Sequence, residues 1–182
     1  MVTRKTEMDQ NDNRAVLCEL VSKLRENGSW TGQTHIQKAA YLLKHLARVP
    51  LNYEFQLYQH GPYSFNLRDE VGLLRGGRVL AASPQEPYGL KFEVCDPIRT
   101  GAEKKFEREV DFVARALGKK KVVELEALST ALMVTLENAS SDTQARMKRL
   151  LELKPHLKET LASEAIQELD ALRHEASELI GV

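Results

Sequence analysis

Apolar residues recur at helical spacing along most of this chain, and the breaks in that pattern separate the predicted elements. Residues 1–12 are polar and have no period, which predicts a flexible amino-terminal arm. From Asn13 the apolar positions predict a first helix that ends at Asn27-Gly28, because glycine readily adopts the left-handed stop. The apolar positions of this helix are Leu17, Leu20, Val21 and Leu24.

The stretch THIQKAAYLLKHLARVP predicts a second helix, since its residues separate into two arcs at about 100° per residue. We expect this helix to end at Pro50, because the residue before a proline is disfavoured in the helical region. The apolar arc holds Ile36, Ala39, Ala40, Leu42, Leu43, Leu46 and Ala47. The polar arc, which we expect to face outward, holds Gln37, Lys38, Tyr41, Lys44, His45 and Arg48.

The segment LYQHGPYSF, residues 57–65, follows an alternating pattern that predicts a short strand over residues 53–59. Gly61 can adopt a positive φ, and Pro62 favours a turn. Ser64 is a suitable N-cap for a third helix. We therefore predict a corner between a strand and a helix at His60-Gly61-Pro62.

The remaining pattern predicts a third helix that ends at Gly76-Gly77, a hairpin formed by RVLAAS and LKFEVC, and a helix that starts at Thr100-Gly101. After the charged run 118–121, leucine stripes predict three more helices, with a capping box at Ser141–Gln144. This order predicts a mostly α fold with a small β-hairpin. We expect a winged helix-turn-helix-like part over residues 13–118, and a helical bundle over 122–182 that shares one core with it.

Composition is that of an ordinary globular domain, with 182 residues, 42% hydrophobic and 29% charged. With no long apolar run and no apolar signal core, the chain is expected to be cytoplasmic, with no membrane partner. Cys18 and Cys95 form no CxxC, and the sequence lacks phosphate-loop, dinucleotide, GxSxG and HExxH motifs. We therefore expect a non-enzymatic protein without metal or cofactor.

The charges divide along the chain although the net charge is zero. Residues 1–121 contain 20 Lys plus Arg and 15 Asp plus Glu, whereas residues 122–182 contain 6 and 11. This division is compatible with a basic surface beside an acidic interaction tail, and equally with association between unlike ends. The leucine stripes of the acidic part also predict a homodimer.

The residues HIQKAAYLLKHLARVPLNYEFQLYQHGPYSFNLRDEV, together with Thr100-Gly101 and Leu153-Lys154-Pro155, resemble the YwgA-like family of uncharacterised proteins. That family is itself similar to the Panacea domain of SocA-like antitoxins, which usually continues GPV where this chain has Gly61-Pro62-Tyr63. The resemblance covers most of the chain. It implies a mostly helical, winged-helix-like fold without assigned catalysis, and for the Panacea relatives it implies neutralisation of a toxin.

Two surfaces are candidates for binding a protein partner, which the resemblance implies to be a toxin. The first is the polar arc, with Lys38, Tyr41, Lys44, His45 and Arg48, for which a solvated helix face is an alternative. The second is the corner, with His60, Gly61, Pro62, Tyr63 and Ser64, for which simple helix capping is an alternative. If the protein is instead a DNA-binding winged-helix regulator, the third helix offers Asn66, Arg68 and Arg75.

Overall fold

The computed structural model describes residues 8–86, 89–138 and 142–181, and these form eight helices and two antiparallel strand pairs. The mostly α class with a small hairpin is therefore confirmed, whereas the winged-helix arrangement stays a prediction. The elements are α1 (Gln10–Glu26), α2 (Gln33–His45), β1 (Gln56–Tyr58), β2 (Gly61–Tyr63), α3 (Phe65–Gly76), β3 (Leu80–Gln85), β4 (Gly89–Val94), α4 (Ala102–Lys105), α5 (Glu107–Leu117), α6 (Val122–Glu137), α7 (Thr143–Leu153) and α8 (Glu159–Ile180).

The amino-terminal helix starts earlier than the sequence pattern indicates. The Asp9 carboxylate accepts the N–H groups of Asn11 and Asp12 at 2.7 and 3.1 Å, which caps α1 before Gln10. Met8 is buried against the core. The prediction of a flexible arm is thus wrong for residues 8–12, because it considered apolar period and overlooked the cap, while residues 1–7 lie outside the described part.

Helix α2 lies at the centre of the fold, in contact with α1, α5, α6 and β2. Its expected outward arc is wrong for Gln37, Lys38 and Tyr41, which are 0%, 1% and 3% exposed. A helical period separates two faces, but it does not show how many neighbours the helix has. Lys44 and His45 are half-buried, and α2 ends at His45 instead of Pro50. Arg48 is exposed beyond it with φ 59°.

Two hairpins flank α3 in the chain. The expected hairpin is confirmed by β3 and β4, which pair from Leu80 with Val94 to Gln85 with Gly89. The corner at His60-Gly61-Pro62 is a hairpin as well, because Gly61–Tyr63 returns as β2 alongside β1 before α3 begins. The predicted direct passage from strand to helix is therefore corrected by one additional strand.

The carboxy-terminal helices share one apolar cluster with the earlier elements, since Leu125 and Leu128 of α6 belong to the same core as Leu20 of α1 and Leu43 of α2. The predicted linker at 118–121 is also packed, since a Cβ on Gly118 would lie 2.4 Å from the Asn27 carbonyl oxygen. Of the expected capping box, Ser141 lies outside the described residues, and Asp142 caps α7 by accepting the Ala145 N–H at 2.7 Å.

The opposite charges of the two parts of the chain partly neutralise each other within one molecule. Arg115 forms an ion pair with Glu175, and Lys120 lies 2.7 Å from Glu168. Most leucines of the predicted tail stripes are likewise buried inside the chain, although Leu136 is 52% exposed. The buried stripes therefore leave less apolar surface for a second copy of the chain to cover, and the homodimer stays a prediction. Among the described helices, none has the length and apolar character that crossing a membrane requires.

Candidate functional site

The β1–β2 hairpin presents the LYQHGPYSF segment on a tight two-residue turn, with Tyr58 paired to Gly61. Gly61 has φ 85°, a conformation that favours glycine. Its α-carbon also faces α6, where an added Cβ would lie 2.8 Å from Thr130 Oγ1 and 3.3 Å from Ser129 Oγ. Both the backbone conformation and the close approach therefore require glycine at this position.

Two buried lysines bind the backbone of this hairpin. Lys38 of α2 donates a hydrogen bond of 2.7 Å to the Pro62 carbonyl oxygen. Lys154, which follows α7, donates to the carbonyl oxygens of Tyr58 at 2.8 Å and Gln59 at 2.5 Å. Both lysines are almost fully buried, at 1% and 4% exposed. Three hairpin carbonyls thus receive charged donors, which form stronger hydrogen bonds than neutral donors.

Glu126 of α6 supplies the opposite charge. Its carboxylate oxygen Oε1 lies 3.1 Å from Lys154 Nζ, and its side chain is 3% exposed. The other oxygen, Oε2, lies 3.2 Å from His156 Nε2 and 3.7 Å from His60 Nδ1. We call Lys38, Glu126 and Lys154 the buried charge cluster. The two histidines lie at its solvent side, with side chains 62% exposed for His60 and 55% for His156.

Burial lowers the pKa of Lys38 to about 7, because the charged form loses its hydration. The negative charge of Glu126 opposes the effect of burial and raises this pKa. The positive charge of Lys154 acts in the same direction as burial and lowers it. Two cations and one anion lie in this largely dry environment, so the proton on Lys38 is held less tightly than on an exposed lysine. The cluster is therefore a site where charge changes close to neutral pH.

A second anchor orients the start of α3. The Gln37 side-chain amide donates to the Ser64 carbonyl oxygen at 2.9 Å, and its oxygen accepts the Ser64 N–H at 2.8 Å. Ser64 Oγ in turn accepts the Leu67 N–H at 3.2 Å, which confirms its predicted N-cap role. The hairpin and α3 are thus held to α2 by two adjacent side chains, Gln37 and Lys38.

An aromatic patch, made of Tyr58, Tyr63 and Phe65, covers the outer side of the hairpin. The Tyr63 ring centroid lies 5.4 Å from that of Tyr58 and 5.2 Å from that of Phe65. Tyr58 and Phe65 are 45% and 37% exposed, and Leu57 beside Tyr58 in β1 is 38% exposed. Phe65, the first residue of α3, extends this outer surface and is not buried among the neighbouring helices.

The predicted partner-binding residues do not form one surface. His60, Tyr63 and Arg48 are accessible, whereas Gly61, Pro62 and Ser64 are buried parts of the hairpin framework. Lys44 donates to the Tyr53 carbonyl oxygen at 2.6 Å. The Tyr41 ring lies 4.6 Å from His45 and 5.2 Å from Phe55. Lys38 and Tyr41 of the polar arc are therefore not accessible to a partner, whereas binding through Lys44, His45 and Arg48 stays a prediction.

The residues expected to contact DNA are partly engaged within the protein. The Asn66 side chain accepts the Glu54 N–H at 3.3 Å and donates to the Asn52 carbonyl oxygen at 3.2 Å. Arg68 donates to the Asp69 carboxylate at 2.6 Å and lies 5.2 Å from the Phe65 ring centroid. Arg75 is exposed near the end of α3.

Sequence reasoning missed the cluster members Glu126, Lys154 and the adjacent His156. Glu126 was detectable as a charged residue on the apolar side of a leucine-rich helix, where burial without a partner is costly. Lys154 was noted only as part of Leu153-Lys154-Pro155. Its separation from Tyr58 along the chain hides the contact.

Comparison of the chain with models of protein families, with curated proteins and with solved structures gives no match. The resemblance to the YwgA-like and Panacea families therefore stays a prediction. The geometry described above is what the functional proposal depends on.

Proposed function

We propose that this protein is a non-enzymatic, antitoxin-like regulatory protein that acts by binding another protein through the aromatic patch. The observation that carries the proposal is the group of three adjoining rings displayed on the outer side of the β1–β2 hairpin. Exposed tyrosine and arginine side chains are enriched among residues that dominate binding energy, and Arg68 lies over Phe65 at the edge of the patch.

The rigidity of the hairpin supports the same proposal. Charged donors from Lys38 and Lys154 hold three of its carbonyl oxygens, and Gln37 holds Ser64 at its end. A binding surface that is already ordered loses less conformational entropy when the partner binds. The buried charge cluster would then serve binding indirectly, by keeping the rings in place.

The identity of the partner as a toxin is the part of the proposal that rests on the family resemblance. A toxin-neutralising protein needs no catalytic group, since it acts by occupying a surface of its target. The lack of phosphate-loop, dinucleotide, GxSxG and HExxH motifs in the sequence is compatible with that mode of action.

Affinity capture from the native host tests this proposal, with the bound fraction divided into nuclease-treated and untreated halves. We expect a stoichiometric protein that survives nuclease treatment and is lost with the double variant Tyr58→Ala and Phe65→Ala. The matched control is Leu73→Ala, which removes a side chain that is 61% exposed elsewhere on α3. Equal capture by the wild type, the double variant and the Leu73→Ala control would exclude the aromatic patch as the binding surface. If the captured protein is a toxin, this chain should neutralise it in a growth assay.

The DNA-binding alternative has weaker support. All three residues are exposed, but the side chains of Asn66 and Arg68 already form hydrogen bonds within the chain. Affinity for DNA depends on neutralising several phosphates. Captured DNA that disappears with nuclease, and salt-sensitive promoter binding that weakens with Arg75→Ala, would favour this alternative over the protein-binding one.

A further inference from the structure

A groove on another part of the surface is bounded by residues 28–35, 89–92 and 118–123 and has a volume of about 970 Å³. We call it the lysine groove, after Lys91, Lys119 and Lys121 in its lining. The groove also contains apolar side chains, among them Trp30, Phe92 and Val122. Its volume is close to the upper end of the range for small-ligand sites, about 300–1,000 Å³.

Hydrogen bonds connect the segments that form the groove. Thr31 Oγ1 donates to the Phe92 carbonyl oxygen at 2.7 Å, and the Phe92 N–H donates to the Thr31 carbonyl oxygen at 3.1 Å. His35 Nε2 lies 3.3 Å from the Lys120 carbonyl oxygen, which joins the start of α2 to the segment before α6. The groove is therefore preformed, and a ligand would not have to order it.

Thr31 itself has φ 49° although it is β-branched, and it is 0% exposed. This conformation is unfavourable for such a side chain, and the two bonds to Phe92 hold it in place. Through these bonds the strained residue holds the segment before α2 against strand β4, next to the residues that line the groove.

The charge of the groove is positive. The described residues that line it include no Asp or Glu. Lys120 is paired with Glu168, whereas no salt bridge among the described residues involves Lys91, Lys119 or Lys121. The amino terminus of α2 adds to the positive potential, because its N-cap is Gly32, which offers no side-chain acceptor. These features together favour an anionic ligand.

The residue types are compatible with a phosphate. The cations that line the groove are lysines, which are common phosphate ligands and act on phosphate as point charges. The indole of Trp30 lies against the first turn of α2, since a Cβ on Gly32 would be 2.8 Å from Trp30 Cδ1. A ring and a phosphate are therefore complementary to adjacent parts of the same groove.

We propose that the lysine groove binds a nucleoside monophosphate, with the phosphate near the lysines and the base against Trp30. The same chemistry occurs in a free mononucleotide and at the 5′-phosphorylated end of an oligonucleotide. This site is separate from the aromatic patch and shares no lining residue with it. Binding of nucleotide does not depend on whether that protein-binding proposal is correct.

Titration of the full chain with AMP, GMP, CMP and UMP tests the inference, with the emission of Trp30, the single tryptophan, as the signal. We expect at least one nucleotide to change this emission saturably, with adenosine and inorganic phosphate each binding at least about tenfold more weakly. Absence of binding by all four nucleotides at millimolar concentration, confirmed by calorimetry, would overturn the proposal.

An oligonucleotide with and without a 5′-phosphate distinguishes a free mononucleotide from the 5′-phosphorylated end of an oligonucleotide as the ligand. Binding only of the phosphorylated form, with the affinity of the mononucleotide, assigns the groove to a terminal nucleotide, and weaker binding than the mononucleotide assigns it to the free ligand. Tight binding of both forms, independent of the phosphate, would instead indicate a surface for the nucleic-acid backbone and would contradict the proposal.

Calorimetry on variants locates the ligand. Lys91→Ala, Lys119→Ala and Lys121→Ala should each weaken binding by about fivefold, as expected for loss of one charged contact. Trp30→Phe should weaken it as well, since a smaller ring remains. The control is Lys148→Ala, an exposed lysine of α7 outside the groove. Unchanged affinity in all groove variants, with their unfolding curves intact, would place the ligand elsewhere and reject the site.

Discussion

Lys38 Nζ donates a hydrogen bond of 2.7 Å to the carbonyl oxygen of Pro62, and so joins the central helix to the return strand of the hairpin. The lysine is 1% exposed, so this contact is made without competing solvent. Buried ionised groups are stable only with compensating partners. Pro62 and Glu126 are therefore connected energetically through Lys38, although they belong to different elements.

Removing the only carboxylate of the buried charge cluster should destabilise the fold more than removing one of its lysines. Glu126→Gln leaves Lys154, and the protonated fraction of Lys38, without a counter-charge in a buried site, and we expect it to lower the free energy of unfolding by about 3–5 kcal/mol. Lys38→Met leaves the Pro62 carbonyl oxygen without its donor and should cost about 1–3 kcal/mol. Urea unfolding at pH 7 measures both.

The double variant Lys38→Met and Glu126→Gln provides the matched control for this prediction. Because the two residues interact, the double variant should be less destabilised than the sum of the single variants. Additive losses would contradict electrostatic coupling between Lys38 and Glu126.

Stability should depend on pH through Lys38, whose pKa burial lowers to about 7. Between that value and the ordinary lysine pKa of about 10.4, the unfolded chain keeps a proton that the folded chain has lost. Stability therefore rises with pH in this window, by at most about 1.4 kcal/mol per unit, and this contribution is flat below about pH 7.

The comparison that isolates this effect is the wild type against Lys38→Met, measured from pH 7 to 9. Other titrating groups contribute to both proteins and largely cancel in the difference. The wild type should gain stability relative to the variant as pH rises. If the difference in free energy of unfolding between the two proteins stays constant, Lys38 remains charged over this pH range. The attraction of Glu126 would then outweigh the effect of burial on Lys38.

Gly61→Ala should destabilise the hairpin. The change places a Cβ at 2.8 Å from Thr130 Oγ1, in a residue with φ 85°. The left-handed conformation alone costs about 1–2 kcal/mol for a residue with a side chain, and the contact adds to this. Gly72→Ala is the control, because a Cβ there meets nothing within 4 Å in the middle of α3.

Thermal unfolding should show opposite shifts for these two glycine variants. Gly72→Ala should stabilise by about 0.5–1 kcal/mol through helix propensity. A Gly61→Ala protein as stable as the wild type would mean that the hairpin and α6 are not in close contact.

Asp170→Asn should loosen the contact between α7 and α8. Arg146 is 6% exposed and donates to both Asp170 carboxylate oxygens, at 2.7 and 2.6 Å. Loss of the carboxylate charge should lower the free energy of unfolding by about 1–3 kcal/mol, measured with urea. Glu164→Gln, an exposed position on α8, should change it by less than about 0.5 kcal/mol.

The same pair predicts a second dependence on pH. Arg146 lowers the pKa of Asp170, so the stability that this pair contributes is present above the ordinary aspartate pKa and is lost as pH falls through the lowered one. Asp170→Asn should therefore approach the wild type in stability in acid. If the difference in stability between the wild type and Asp170→Asn does not decrease in acid, Arg146 and Asp170 do not act as a charged pair.

Several elements were predictable from sequence because local physics determines them. The leucine spacing of α1 and α6, the stop of α1 before Gly28 with φ 87°, and the Ser64 cap follow from helical period, glycine conformation and side-chain capping. The β3–β4 hairpin follows from two strand-like runs around a turn-rich segment. Each of these signals lies within about a dozen neighbouring residues.

The candidate site was predictable only in part. His60-Gly61-Pro62-Tyr63-Ser64 was identified from its break in pattern, whereas Glu126 and Lys154 are distant in the chain and have no local signal of their role. Lys38 was placed on an outward arc because charge normally faces water. Its burial depends on the hairpin and α6 closing over α2, which a period of 3.6 cannot reveal.

Local sequence thus specified most helices, the β3–β4 hairpin and the Ser64 cap, but not the Asp9 cap, strand β2 or the end of α2. Tertiary packing decided that α2 is covered on its polar side, that two distant lysines bind one hairpin, and that aromatic rings lie on the outer side of that hairpin. The reason is physical: local conformation depends on neighbouring residues, whereas burial and charge pairing depend on which elements meet in space.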